Sequence, residues 1–226
     1  MYNHAMPPKT YEIRLCNSCG LRYPLTEGHN FGTRCPICMG DTRLILSREL
    51  IVEPNPNRPL KSPNLLHAKP TPKQNKGLTV LLDNIRSAWN VGSILRSADG
   101  FGFQHAYLCG ITPTPENEAV TKTSLGAEDS VSWSYHKDAV KLVSGLKKEG
   151  WQVWVLEESD RAKSIEQASH PKTSQPTVLL LGSEVTGVDP ELLESAHEIF
   201  YISMRGDKKS FNVAMAFSIA AYQMHK

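Results

Sequence analysis

Long apolar runs are missing from these 226 residues. Val178 to Leu181 is typical of what there is, and a bilayer-spanning helix needs about 20 apolar residues. The first ten residues, MYNHAMPPKT, lack the apolar centre of a signal peptide. The expectation is a soluble, intracellular (cytoplasmic) chain with no membrane partner. A surplus of one charge is missing too, since 25 Lys+Arg against 23 Asp+Glu leave +2. That total speaks neither for nor against nucleic acid. The phosphate-loop lysine is absent. Gly182-Ser183-Glu184-Val185-Thr186-Gly187 has suitable glycines, but Val188 and Asp189 stand where Lys and Ser/Thr are required. No G-x-G-x-x-G follows a strand pattern, which excludes the usual dinucleotide site. Cysteine is scarce, with only five.

What is present is unevenly placed. Residues 1–76 carry 11 basic and 5 acidic residues, and residues 77–226 carry 14 and 18. A basic front and a mildly acidic back suggest two parts with different tasks. Four of the five cysteines form two pairs, Cys16-x2-Cys19 and Cys35-x2-Cys38. Two such knuckles bring four thiolates to one tetrahedral ion. A closed four-cysteine site is structural rather than catalytic. Paired disulfides or a redox C-x-x-C are the alternatives, and an intracellular chain disfavours both. A zinc ribbon over residues 1–52 is therefore expected, with Gly20 and Gly40 turning the chain after each pair. Iron would suit the same four ligands. Cys109, alone in an apolar strand, reads as a core thiol.

Residues 53–76 hold six prolines and five basic residues against one acid. They read as an extended linker, either an inert spacer or a basic strap for phosphates. From residue 77 the pattern is α/β. Strands are expected at 78–83, 105–109, 151–157, 177–182 and 198–203, and helices at 90–99, 137–150 and 212–223. Asp189-Pro190 opens another helix. Apolar strands alternating with helices imply a mostly parallel sheet, with ligands beyond the strand C-termini. The final helix has little polar surface, so core or a subunit partner should cover it.

Three segments crowd polar residues and glycines at strand ends. Asn90 is a candidate helix cap, and Arg96 a solvated arginine paired with Asp99 or something more. Glu184 is a solvated loop acid or a ligand contact. Ser210 and Asn212 are candidate caps behind the basic Arg205, Lys208 and Lys209. Taken in order, the segments resemble one family. N-V-G-S-I-L-R-S-A-D-G-F-G (90–102), T-K-T-S-L-G-A-E-D (121–129), L-L-L-G-S-E-V-T-G (179–187) and I-S-M-R-G-D-K-K-S-F-N-V-A-M-A (202–216) are similar to the motifs of SpoU/TrmH-type RNA ribose 2′-O-methyltransferases of the SPOUT superfamily. The likeness covers roughly residues 78–224. It departs at Ser87-Ala88-Trp89, where relatives often carry Asp-Pro, at Phe211 for leucine, and in the ribbon at the front.

The resemblance implies a SPOUT-type α/β sheet with a C-terminal trefoil knot. It implies S-adenosylmethionine held near Gly182, Ile202 and Phe211, and a homodimer. Arg96 would be the central catalytic residue, held by Asn90, with Glu184, Ser210 and Asn212 orienting arginine, ribose and cofactor. A guanidinium stays protonated, so clamping phosphate and stabilising a developing alkoxide is the fitting task for Arg96. The substrate would be tRNA or rRNA. The ribbon would be an RNA arm, with Arg14, Arg22, Tyr23, Phe31, Arg34 and Arg43 as contacts, or with Tyr23 and Phe31 as its small core. The competing readings are a catalytically inactive RNA-binding protein that keeps the fold, and a zinc-ribbon adaptor.

Overall fold

The computed structural model describes residues 10–26, 32–49, 77–168 and 175–225. The 53–76 linker and Phe31 lie outside them. The chain divides into two compact units.

The described part of the first unit is a three-stranded antiparallel sheet, β1 (Thr10–Cys16), β2 (Arg22–Thr26) and β3 (Thr42–Glu49), ordered β2-β1-β3. Its core is small: Tyr11, Ile13, Leu21 and Tyr23 are buried. A core of four such side chains is too little to hold a fold this size unaided.

The second unit runs β4 (Leu78–Asp83), α1 (Ala88–Gly100), β5 (His105–Cys109), α2 (Glu118–Ser124), α3 (Ala127–Ser130), β6 (Ser132–His136), α4 (Ala139–Lys148), β7 (Gln152–Leu156), β8 (Lys163–Ser164), β9 (Thr177–Leu181), α5 (Pro190–Ser195), β10 (Glu198–Tyr201) and α6 (Val213–His225). Its seven strands form one parallel sheet, ordered β6-β5-β4-β9-β7-β10-β8. Alternation sorts the strand residues to two faces. Val80, Leu82, Leu179 and Leu181 pack under α1 and α6, and Leu81, Val178 and Leu180 under α4 and α5. Cys109 is a buried core thiol. No helix among the described residues is long and apolar enough to cross a membrane.

The expected strands and helices are present, with three differences. Ser87, not Asn90, caps α1, its hydroxyl accepting from the Asn90 amide at 3.3 Å. Two strands, β6 and the two-residue β8, and the short helices α2 and α3 are not among the expected elements. Asp189 does cap α5, with Pro190 at its first position. The strand order places a switch point where β9 lies between β4 and β7. Crevices outside the C-terminal ends of strands at such points are where open α/β sheets bind ligands.

Candidate active site and metal centre

Two loops meet above the switch point, because β4 and β9 are neighbours although their paired positions, such as Leu78 and Thr177, are far apart in sequence. The loop after β9 is tight. Ser183 and Gly187 exchange backbone hydrogen bonds of 3.1 and 2.9 Å. A Cβ on Gly182 would lie 2.5 Å from the Gly187 and Val188 backbone, so only glycine fits there. Gly187 has φ +70°. This closure turns Glu184 toward the loop after β4. Its carboxylate accepts from the Arg86 amide (2.8 Å), the Ser87 amide (3.3 Å) and Asn90 Nδ2 (2.9 Å). Asn90 Oδ1 in turn accepts from Asn212 Nδ2 at 3.0 Å. Asn212 also receives the Ala214 amide at 2.9 Å, so it caps α6 as well.

One chain of hydrogen bonds thus joins Glu184, Asn90 and Asn212 from three separate segments. Arg96 stands on α1 with its side chain exposed. The expected pairing with Asp99 is not among the ion pairs of the described residues. Its guanidinium faces solvent, unlike that of Arg86, which is half-buried. Burial works to lower the Arg86 pKa, and the adjacent Glu184 charge works to raise it. Ser210 is exposed and outside the bonded trio, as are Arg205 and Lys208. Gly92, one turn before Arg96, is where α1 meets α2: a Cβ would sit 2.0 Å from Thr123 Oγ1 and 2.3 Å from the Val120 carbonyl oxygen.

The positions expected to hold a cofactor all lie in loops next to strand or helix ends. Gly182 follows β9, Ile202 follows β10, and Phe211 precedes α6. Residues 202–212 belong to no helix or strand, so their backbone groups lie outside the sheet ladder. Ile202 packs on the core below, and Phe211 is 40% exposed. Uncharged backbone donors and acceptors beside apolar walls suit an adenosine group.

Sequence reasoning missed Glu157. It follows β7, is largely buried, and accepts from the Val188 amide (2.9 Å) and the Glu158 amide (3.0 Å). Burial raises its pKa. The carboxylate holds the far end of the 182–187 loop. A glycine at 187 was the available signal, since a Cβ there would lie 2.6 Å from Glu157 Oε2.

In the first unit, the sulfurs of Cys16, Cys19, Cys35 and Cys38 all lie within 4.8 Å of one another. Cys16–Cys38 and Cys19–Cys35 are 3.5 and 3.6 Å apart. Zn–S bonds of about 2.3 Å in a tetrahedron put sulfurs just under 4 Å apart, so four free thiols here fit zinc. Bound zinc would cross-link the two knuckles. Burial raises Cys19 and Cys35. Burial also works to raise Cys16, but hydrogen bonds from the Cys19 and Ser18 backbone outweigh it and bring that thiol to about 6. Gly20 turns the first knuckle at φ +73°, as expected, but Met39 rather than Gly40 occupies the left-handed position of the second. Gly40 is set by packing, its Cβ position being 3.2 Å from Cys38 Sγ.

Tyr23 belongs to the ribbon's core, its hydroxyl donating to the Arg34 carbonyl at 2.9 Å. Arg22 is buried, and Arg14 is engaged with Thr42 and Glu12. Arg34 pairs with Asp41 at 2.9 Å but is exposed. Arg43 is exposed as well.

The trio lies at the switch point of a parallel sheet, where open α/β sheets bind ligands, and the helix that carries Asn90 also carries the solvent-facing Arg96. The SpoU rRNA Methylase family matches residues 77–222, and the chain belongs to that family. It is similar to the tRNA (guanosine(18)-2′-O)-methyltransferase of Thermus thermophilus, 30% identical over 149 residues, which are 66% of this chain and 74% of the relative. The fold is similar to the TrmH/SpoU tRNA modifying enzyme of A. aeolicus, with TM-score 0.58 and 28% identity over 68% of this chain and 76% of that one. It is also similar to the AdoMet-bound rRNA methyltransferase of Sinorhizobium meliloti, with TM-score 0.61 and 25% identity over 67% and 56%.

Proposed function

We propose that this chain transfers the methyl group of S-adenosylmethionine to a ribose 2′-hydroxyl of tRNA or rRNA. The observation that carries the reading is the Glu184–Asn90–Asn212 chain at the start of α1, the helix that carries an exposed Arg96. The cofactor supplies an activated methyl on a sulfonium. The protein's task is to orient the two reactants and to stabilise charge. Glu184 and Asn90 fix the start of α1, and α1 carries Arg96. The exposed guanidinium clamps a phosphate and stabilises the developing alkoxide as the hydroxyl proton passes to solvent water. Gly182, Ile202 and Phe211 hold the cofactor, and Ser210 orients the ribose.

Five further points belong to the same reading. The two parts are a ribbon (1–52) and a methyltransferase domain (77–226) joined by a basic linker (53–76). The ribbon assists RNA capture through Arg34 and Arg43. A homodimer forms over the stripe of Phe211, Met215 and Tyr222, which stays exposed on and before α6. The likeness to SpoU-type folds supports a trefoil knot at the C-terminal part of the sheet, and RNA as substrate supports a cytoplasmic location.

The test is methyl transfer from labelled cofactor to tRNA and rRNA, followed by mapping of the modified ribose. Arg96→Ala should lose transfer while keeping its melting temperature and cofactor affinity. Wild-type turnover by that variant would refute the assignment. RNA binding without transfer by the wild type would favour the inactive RNA-binding reading.

A further inference from the structure

Trp89 is 59% exposed, although a tryptophan normally buries most of its large apolar surface. Trp151 and Trp154 are buried, and Trp133 is half-buried. Trp89 lies in the first turn of α1, next in sequence to Asn90, which is tied to Glu184 and Asn212. Trp89 and Arg96 are seven residues apart on this helix. They therefore share a face, about 10 Å apart along the axis. Both side chains of that face are exposed, one a broad π surface and the other a cation. Arg96 is the only basic residue in α1. An exposed aromatic ring in line with an exposed arginine is the pairing that single-stranded nucleic acid uses, with a base stacked on the ring and backbone charge met by the guanidinium.

We propose that Trp89 is a stacking platform for a nucleobase of the substrate RNA, at or beside the nucleotide whose phosphate Arg96 holds. The inference rests on the RNA-methyltransferase reading above and deepens it. Splaying a base out of its stack costs a few kcal/mol. A platform beside the reacting ribose offsets that cost and fixes the 2′-hydroxyl's approach. A flat indole carries no pairing edge, so Trp89 supplies affinity with little base identity.

The test reads Trp89 directly by acrylamide quenching of tryptophan emission, comparing wild type with Trp89→Phe. Total tRNA and rRNA from cells lacking the protein serve as the RNA, and polyphosphate as a polyanion without bases. Expected is an accessible emission component in the RNA-free protein that Trp89→Phe lacks. RNA should shield it and polyphosphate should not. Trp89→Ala should raise the KM for RNA by about five- to a hundredfold, with the cofactor KM and melting temperature unchanged. Trp89→Phe should recover most of that loss. Three results would overturn the proposal: emission already shielded without RNA, which would place a second copy of the chain on Trp89; equal shielding by polyphosphate; or an unchanged KM in Trp89→Ala. If wild type transfers no methyl yet RNA still shields Trp89, the activity reading fails and the platform stands. If transfer proceeds with Trp89 exposed throughout, the reverse holds.

Discussion

The substitution Gly92→Ala tests how closely α1 is seated. In an exposed helix interior, replacing glycine by alanine stabilises by about 1 kcal/mol, because alanine loses less backbone entropy. At Gly92 the sign should reverse. The added Cβ would lie 2.0 Å from Thr123 Oγ1, 2.3 Å from the Val120 carbonyl oxygen and 2.9 Å from the Ser124 amide nitrogen. The Thr123 hydroxyl can rotate away, but the two α2 backbone atoms cannot. To restore ordinary contact the helices must separate by about 1 Å, a typical overpacking strain of about 1–3 kcal/mol or somewhat more. After the propensity gain, a net loss of up to about 2 kcal/mol remains. At 2–4 °C per kcal/mol for a domain of this size, the melting temperature should fall by up to roughly 4–8 °C. Gly145 in α4 is the matched control, since nothing lies within 4 Å of its Cβ position. Gly145→Ala should therefore raise stability by somewhat under about 1 kcal/mol. Calorimetry on both variants decides the matter. If both substitutions shift the melting temperature in the same direction, the close α1–α2 approach is wrong, and with it the argument for how Asn90 and Arg96 are held.

Removing the metal should unfold the ribbon and spare the catalytic domain. A chelator strong enough to strip zinc, or Cys16→Ser, should erase the chemical-shift dispersion of residues 10–49 only; a ribbon that stays folded would refute a metal-dependent core. A third test uses pH. Burial first, and His136 second, hold His105 down at about 4, whereas the unfolded chain takes up that proton near 6.5. The unfolded state then binds more protons, so stability is full above about pH 6.5 and declines toward pH 4, by up to about 3 kcal/mol from this group. Urea melts at pH 7.5 and 4.5 should show the drop in wild type and a smaller one in His105→Gln. An equal drop in both would place the effect elsewhere.

Much of the fold is legible in the sequence because its strands are continuous apolar runs and its helices are amphipathic. Val178–Leu181 and Val153–Leu156 carry few competing readings. What escapes is held by long-range partners. β6 reads Ser-Trp-Ser-Tyr-His, with no apolar run. It is an edge strand whose Ser132 and Ser134 hydroxyls bond the two nitrogens of His105, both at 2.8 Å. α2 is seven residues rich in threonine and serine, weak helix formers; it is fixed by the Asn117 cap and by its fit against Gly92. Asn90 illustrates the same limit at the site. By local rules it is a fair helix cap. Its amide is instead bonded to residues 94 and 122 positions away, and Ser87 does the capping. In the ribbon the cysteine spacing suffices to find the metal cluster, because both knuckles are local turns. It does not reveal that Tyr23 and Arg22 are buried, which depends on how three strands pair.

The charge pattern at the start of α1 fits the role proposed for Arg96 on the helix flank better than one at the helix end. A helix N-terminus is normally ready to hold a phosphate, because its first amides are unpaired. Here the approach to that end is already occupied by an anion, since Glu184 takes the Arg86 and Ser87 amides and the Asn90 side chain. A phosphate brought to the same place would meet a carboxylate and be repelled. In the proposed reading it is met instead along the helix flank, where Arg96 stands exposed and is the only cation α1 offers. Glu184 therefore does two things at once. It ties the loops after β4 and β9 together across the switch point, and in the proposed reading its charge just before the helix keeps an RNA phosphate away from that end and leaves it to the arginine. The net charge of +2 carries none of this information. In the proposed reading, recognition depends on one carboxylate placed where it repels a phosphate and on one exposed guanidinium on the flank of the same helix.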